Sequence, residues 1–152
     1  MDKATMIAKL NDCLRHEWTG VAQYAQAGFV VGGLWRQVYS GLFFGSADES
    51  FMHAKLVGDK ISAMGAIPTV ERNQIEQSTD VRELLELGVA FEMKAVTHYA
   101  EAIGMAEELG DRALVVFLED ILKQEQEGVD ELTQLLREHD QTAKADTASK
   151  TG

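Results

Sequence analysis

Residues 80–111, DVRELLELGVAFEMKAVTHYAEAIGMAEELGD, decide the fold. Leu84, Gly88, Phe91, Ala95, Tyr99, Ala102 and Ala106 recur at steps of three and four, the period of one face of an α-helix. Asp80 followed three residues later by Glu83 has the form of an N-cap and capping box, and Gly110-Asp111 ends the pattern. One residue interrupts the apolar face. Glu92 stands between Gly88 and Ala95, where a packed side chain is expected.

Outward from this helix the same period recurs. Towards the N-terminus, residues 66 to about 79 are polar and aperiodic, long enough to cross the length of a bundle. Before them, about 35–64 carries the stripe Trp35, Tyr39, Leu42, Ser46, His53, Leu56 and Met64, closed by Gly65-Ala66-Ile67-Pro68. Residues of about 4–31 carry Leu10, Leu14, Val21, Tyr24, Gly28 and Val31, and Gly32-Gly33 supplies a reversal. After Gly110-Asp111, Leu114, Leu118, Ile121, Leu122, Val129, Leu132 and Leu136 define a fourth helix to about 138. Residues 139–152 hold no Leu, Ile, Val, Phe or Met and are expected to form a disordered polar tail. With Pro68 the only proline, the chain reads as all-α: a four-helix bundle over residues 1–138 with one long crossover between the second and third helices.

At 152 residues, 45% hydrophobic and 26% charged, the chain has room for one domain with a sizeable core. Its 14 basic against 25 acidic residues, a net charge of −11, argue against phosphate backbones and anionic membranes as partners and favour metal cations. The longest apolar stretch, Ala27 to Leu34, falls far short of the roughly 20 residues that span a bilayer. The start Met-Asp-Lys-Ala-Thr has no secretory pattern and Cys13 is the single cysteine, so a cytoplasmic location is expected.

Carboxylates on core faces carry the functional signal. Glu17 lies between Leu14 and Val21, Glu92 between Gly88 and Ala95, and Glu125 between Leu122 and Val129; the second helix offers Glu49 and His53, four apart and on one face. An isolated ionised carboxylate in a bundle core costs several kcal/mol, so the set calls for a shared cation. Glu17 is 16 residues before Gly33, and Glu49 and His53 are 16 and 20 after it; Glu92 is 18 before Gly110 and Glu125 is 15 after it. All fall within roughly one turn, about 5 Å, of a common level. Such a donor set suits iron, manganese or zinc, and bridging carboxylates favour two ions side by side.

These residues resemble the ferritin-like superfamily, and among its members the bacterioferritins. Leu-Arg-His-Glu17-Trp-Thr-Gly-Val-Ala-Gln-Tyr24 is similar to the motif of the family's first helix, a ligand glutamate followed seven residues on by a tyrosine. His53-Ala54 with Lys60-Ile61, Ala90-Phe91-Glu92 and Ile121-Leu122-Lys123-Gln124-Glu125 are similar to its other three helices, and the likeness spans residues 5 to about 136. The resemblance implies one ligand glutamate each from the first and third helices and a Glu-x-x-His pair from each of the others. Both pairs are incomplete here. Ser50 stands three before His53, with Glu49 the substitute at hand, and Gly128 stands three after Glu125. The losses leave either one ion held well and a second weakly, or a site opened at Gly128 to water or substrate oxygen. Gly128 in mid-helix also admits close approach by another group.

Haem is not expected, because Phe51 occupies the position of the family's haem methionine and Met52 is one residue late. The resemblance implies Fe(II) oxidation by oxygen or peroxide at Glu17, Glu49, His53, Glu92 and Glu125, Tyr24 as electron donor, iron storage or detoxification, and a homo-oligomer. The alternatives are a non-catalytic metal-binding or shell subunit with a degenerate site, and a metal-free helical interaction protein. His16 and His98 read as boundary or surface residues, Met52, Met64, Met93 and Met105 as packing, and Cys13 as an inert buried thiol.

Overall fold

The computed structural model describes residues 1–150. Four helices, α1 (Lys3–Val30), α2 (Arg36–Ala63), α3 (Val81–Glu108) and α4 (Arg112–Lys150), follow in order, with one 3-10 turn at Gly33–Trp35. They form the expected all-α four-helix bundle with one long crossover. α1 packs along α2, α3 along α4, and α1 against α3. Contacts of Lys9 with Glu101 and of Tyr24 with Gly88 make α1 and α3 antiparallel, so α2 and α3 run parallel on the diagonal.

Local chemistry sets the ends. Asp2 and Asp80 accept from the amides of Thr5 and Glu83 at 2.8 and 3.0 Å, and Asp111 caps α4 through Leu114 N at 3.0 Å. The capping box at α3 closes through a relay: Asp80 N donates to Ser78 Oγ, which donates to Glu83 Oε2. Gly33 and Gly110, at φ 70° and 71°, adopt the left-handed conformation that both hairpin turns require. The guanidinium of Arg36 donates to the carbonyls of Phe29 and Val31 at 2.9 and 3.0 Å, satisfying the last turn of α1 from the start of α2.

The crossover lies along α1 and is held by side chains of that helix. Asn11 Oδ1 accepts from Thr69 N, Trp18 Nε1 donates to Thr69 O, Thr19 Oγ1 accepts from Asn73 N and Gln23 Oε1 accepts from Glu76 N, each at 2.9 Å. A polar face of α1 thus pairs the backbone of a segment that forms no ladder of its own.

Two sequence expectations change. The buried face of α2 is Tyr39, Phe43, Ala47, Ser50, His53, Ala54, Val57 and Ile61, one residue round from the expected stripe, and Leu56 is exposed. Leu42-Phe43-Phe44 and Leu56-Val57 place apolar residues at adjacent angles, so the stripe has two phases and packing selects one. At the C-terminus the helix continues through 139–150, where the sequence reading places a disordered tail, the last two residues of which, 151 and 152, lie outside the described residues. Residues 141–150 are exposed, as their polarity dictates, but alanine, lysine and glutamine favour helix and no proline or glycine stops it. Among the described residues no helix is long and apolar enough to cross a membrane.

The interior divides into two apolar clusters. One contains Met6, Leu10, Leu14, Val57, Ile61, Tyr99 and Leu118, the other Tyr24, Val31, Phe43, Leu84, Leu85, Phe91 and Leu132. Between them lies a layer of buried polar side chains.

Candidate metal centre

Each helix contributes to that layer: Glu17 from α1, Ser50 and His53 from α2, Glu92 from α3 and Glu125 from α4, all buried. One ligand atom each of Glu17, His53 and Glu125 lies within 4.8 Å of the other two. His53 Nδ1 is 2.9 Å from Glu125 Oε1 and 3.6 Å from Glu17 Oε1. Tyr99 donates to Glu17 Oε1 at 2.7 Å, while Glu17 Oε2, fully buried, has no hydrogen-bond partner. An unpaired carboxylate oxygen in a sealed interior costs on the order of 1–3 kcal/mol or more, and a cation is what it lacks. Two carboxylates and an imidazole converging beside it fit a divalent ion.

The other half of the layer has closed on itself. Glu92 accepts from Tyr24 at 2.6 Å, mirroring Tyr99 and Glu17, since each glutamate is bonded to the tyrosine seven residues beyond the other. A Cβ added at Gly128 would meet Glu92 Cδ and Oε2 at 3.2 Å. The space beside Gly128, where the resemblance would set a histidine, therefore holds the Glu92 carboxyl. Ser50 lies against Gly20, whose missing Cβ leaves room for the Ser50 hydroxyl and the Phe91 ring. Glu49 is half-exposed and sits 4.0 Å from His53 Nε2, on the opposite edge of the ring from Glu17 and Glu125. It lines a surface pocket of about 250 Å³ with Ser46, Glu131 and Leu132.

Electrostatics separate the two halves. Burial, then the neighbouring Glu125, pushes the Glu92 carboxyl up to about 9, so it is neutral at pH 7. Burial raises Glu125 to about 7 against the hydrogen bond to His53. Burial also disfavours a charged His53, but hydrogen bonds and charges of Glu125 and Glu17 outweigh it and push the imidazole up to about 11. Burial holds Tyr24 and Tyr99 far above the usual phenol range. Without a metal, the His53 imidazolium is the cation of the layer.

Three participants escape a reading of single helices. Gln124 accepts from His53 Nε2 at 2.7 Å, and Tyr99 orients Glu17, contacts spanning 71 and 82 residues that no local pattern announces. His16 is buried rather than at the boundary: it stacks on Phe91 with centroids 3.9 Å apart, and its Nε2 meets the Phe91 carbonyl at 3.0 Å. Burial lowers it to about 4, leaving it neutral. The equivalence of Glu17 and Glu92 was the available signal, since His16 and Phe91 precede them. Cys13 is buried and held to about 12 by burial, as an inert thiol should be.

The ferritin-like domain family matches residues 7–142. The chain belongs to the ferritin-like family. A crystal structure of ferritin-like, diiron-carboxylate proteins from Bacillus anthracis str. Ames is similar, with 30% sequence identity and a TM-score of 0.85 over 90% of this chain and 99% of that one. A search of curated proteins finds no match. Within this ferritin-like frame, Glu17, His53 and Glu125 form a buried candidate metal site, and iron is the metal that the diiron-carboxylate fold suggests.

Proposed function

We propose that this ferritin-like protein binds one iron ion per chain at Glu17, His53 and Glu125, and oxidises Fe(II) there with oxygen or peroxide for storage or detoxification, as a bacterioferritin-type protein. The observation that carries the reading is the buried carboxylate of Glu17, one oxygen of which has no hydrogen-bond partner, beside His53 and Glu125. Two carboxylates balance a dication, so the loaded layer is neutral inside an apolar bundle. Oxygen and imidazole donors suit Fe(II) and also admit Mn(II) or Zn(II). Fe(II) is the substrate and yields one electron per ion, whereas peroxide takes two. Two ions in succession therefore reduce one peroxide to water and four reduce one oxygen, and Tyr24, whose hydroxyl is bonded to Glu92, lends an electron that the next Fe(II) returns. A cytoplasmic homo-oligomer completes the reading, and exposed Phe29, Leu34, Val38, Phe51 and Leu56 are side chains that a contact between subunits would cover.

The closure of Glu92 over Gly128 favours a second reading, a non-catalytic metal-binding or shell subunit. Anaerobic Fe(II) titration followed by an oxygen pulse separates the two. One equivalent bound and oxidation faster than in buffer supports turnover. One equivalent with oxidation at the buffer rate moves the protein to the second reading, and no binding sinks both.

A further inference from the structure

The two ring nitrogens of His53 face different surroundings. Nδ1 points at the buried carboxylates of Glu17 and Glu125, at 3.6 and 2.9 Å. Nε2 points away from them, donating to Gln124 Oε1 at 2.7 Å with half-exposed Glu49 4.0 Å off. Gln124 and Glu125 are adjacent on α4, so one turn of helix grips both edges of the imidazole: the carboxylate holds one, the amide the other. We propose that Gln124 is the positioning residue of the metal site, fixing His53 so that Nε2 keeps its proton and Nδ1 is the metal-binding atom.

This inference rests on the one-ion reading and extends it to a residue outside the ligand set. Imidazole binds a metal through one nitrogen while the hydrogen bond of the other fixes tautomer and ring plane. A ring turned over about its Cβ–Cγ bond would set Cδ2 where Nδ1 stands and Cε1 where Nε2 stands, so only one orientation offers a nitrogen to Glu17 and Glu125. Glu17 and Glu125 already match the charge of a dication, so a carboxylate at 124 would add a negative charge to the layer, whereas the glutamine carbonyl accepts the same proton without one. Glu49, on the Nε2 edge, then stays out of the coordination shell.

The test uses Zn(II) as a redox-silent probe on the full chain, with affinity read by competition against a chromophoric chelator and the metallated nitrogen read by NMR of 15N-histidine-labelled protein. Gln124→Leu, which keeps the bulk and removes the acceptor, should weaken Zn(II) by about 10–100-fold, the usual effect of losing such a support. Gln124→Glu, which keeps an acceptor oxygen, should bind at least as tightly as the wild type. Wild-type spectra should show Zn(II) on Nδ1 of His53. Metallation at Nε2 in the wild type, or Gln124→Leu binding within twofold of it, overturns the proposal and leaves the one-ion site standing. Failure of the wild type to bind Zn(II) or Fe(II) overturns the site reading itself, and this proposal with it. The wild-type spectrum decides the matter even if the leucine variant folds poorly.

Discussion

His53 Nδ1 lies 2.9 Å from Glu125 Oε1, and each residue occupies one position of a different Glu-x-x-His spacing that the family resemblance implies. His53 has Ser50 where its glutamate would stand, and Glu125 has Gly128 where its histidine would stand. The two losses are complementary. The remaining histidine and glutamate are in contact, with Glu17 beside them and the Glu92 carboxyl lying against Gly128, next to Glu125. The three residues left side by side are those of the candidate site.

Removing a ligand should therefore act on binding of a single ion. Glu17→Gln and Glu125→Gln are expected to weaken Zn(II) or anaerobic Fe(II) by more than the roughly 10–100-fold loss typical of a supporting residue. Glu49→Gln should stay within a few-fold of wild type, because Glu49 faces the other edge of His53. Calorimetric titration ranks the three, and a larger loss at Glu49 than at Glu17 would refute the arrangement.

Glu92 makes the stability of the metal-free protein depend on pH. Its folded carboxyl titrates at about 9 against an unfolded value near 4.5. Between those values the folded state holds a proton that the unfolded state does not, so this contribution is fully present below about pH 4.5 and is lost as pH rises through 9. Glu92→Gln keeps the shape and removes the titration. In urea unfolding, the variant should gain on wild type steadily from pH 5 to pH 9, by an amount on the order of a few kcal/mol. A constant difference across that range would show that Glu92 is ionised in the fold.

Gly20 is a packing requirement of the layer. A Cβ there would lie 2.4 Å from Ser50 Oγ and 2.6 Å from Phe91 Cζ, and the Phe91 ring is itself pinned by stacking on His16. Gly20→Ala should destabilise by about 1–3 kcal/mol despite the better helix propensity of alanine. Thermal and urea unfolding would check it, and a stabilised variant would mean that Phe91 moves freely.

Rebuilding both pairs should restore the second half of the site. Ser50→Glu with Gly128→His supplies the two missing donors, provided Glu92 leaves the space beside residue 128. Anaerobic Fe(II) stoichiometry is expected to rise from one to two per chain. A value that stays at one would show that Glu92 does not yield.

The bundle, its crossover and the buried set Glu17, His53, Glu92 and Glu125 were legible because ionisable side chains on core faces are costly enough to demand a reason. The phase of α2 was not, since Leu42 beside Phe43 and Leu56 beside Val57 offer two apolar stripes of equal merit. Nor was the helicity of 139–150: a lack of apolar residues predicts exposure, and exposure is compatible with helix. Gln124 and Tyr99 act across the bundle, and the sharing of a ring or a carboxylate between distant helices leaves no periodic trace. The glycine at 128 signalled close approach, but that the approaching group is Glu92 depends on the rotamer that Tyr24 holds.

A crystal structure of anaerobically Fe(II)-loaded protein, with anomalous scattering measured at the iron edge, decides whether one ion is held by Glu17, His53 and Glu125 with Glu92 outside. One anomalous peak per chain is expected, within bonding distance of Glu17, His53 Nδ1 and Glu125, with Glu92 still bonded to Tyr24. Two peaks with Glu92 as a ligand, or no peak in the polar layer, would contradict it.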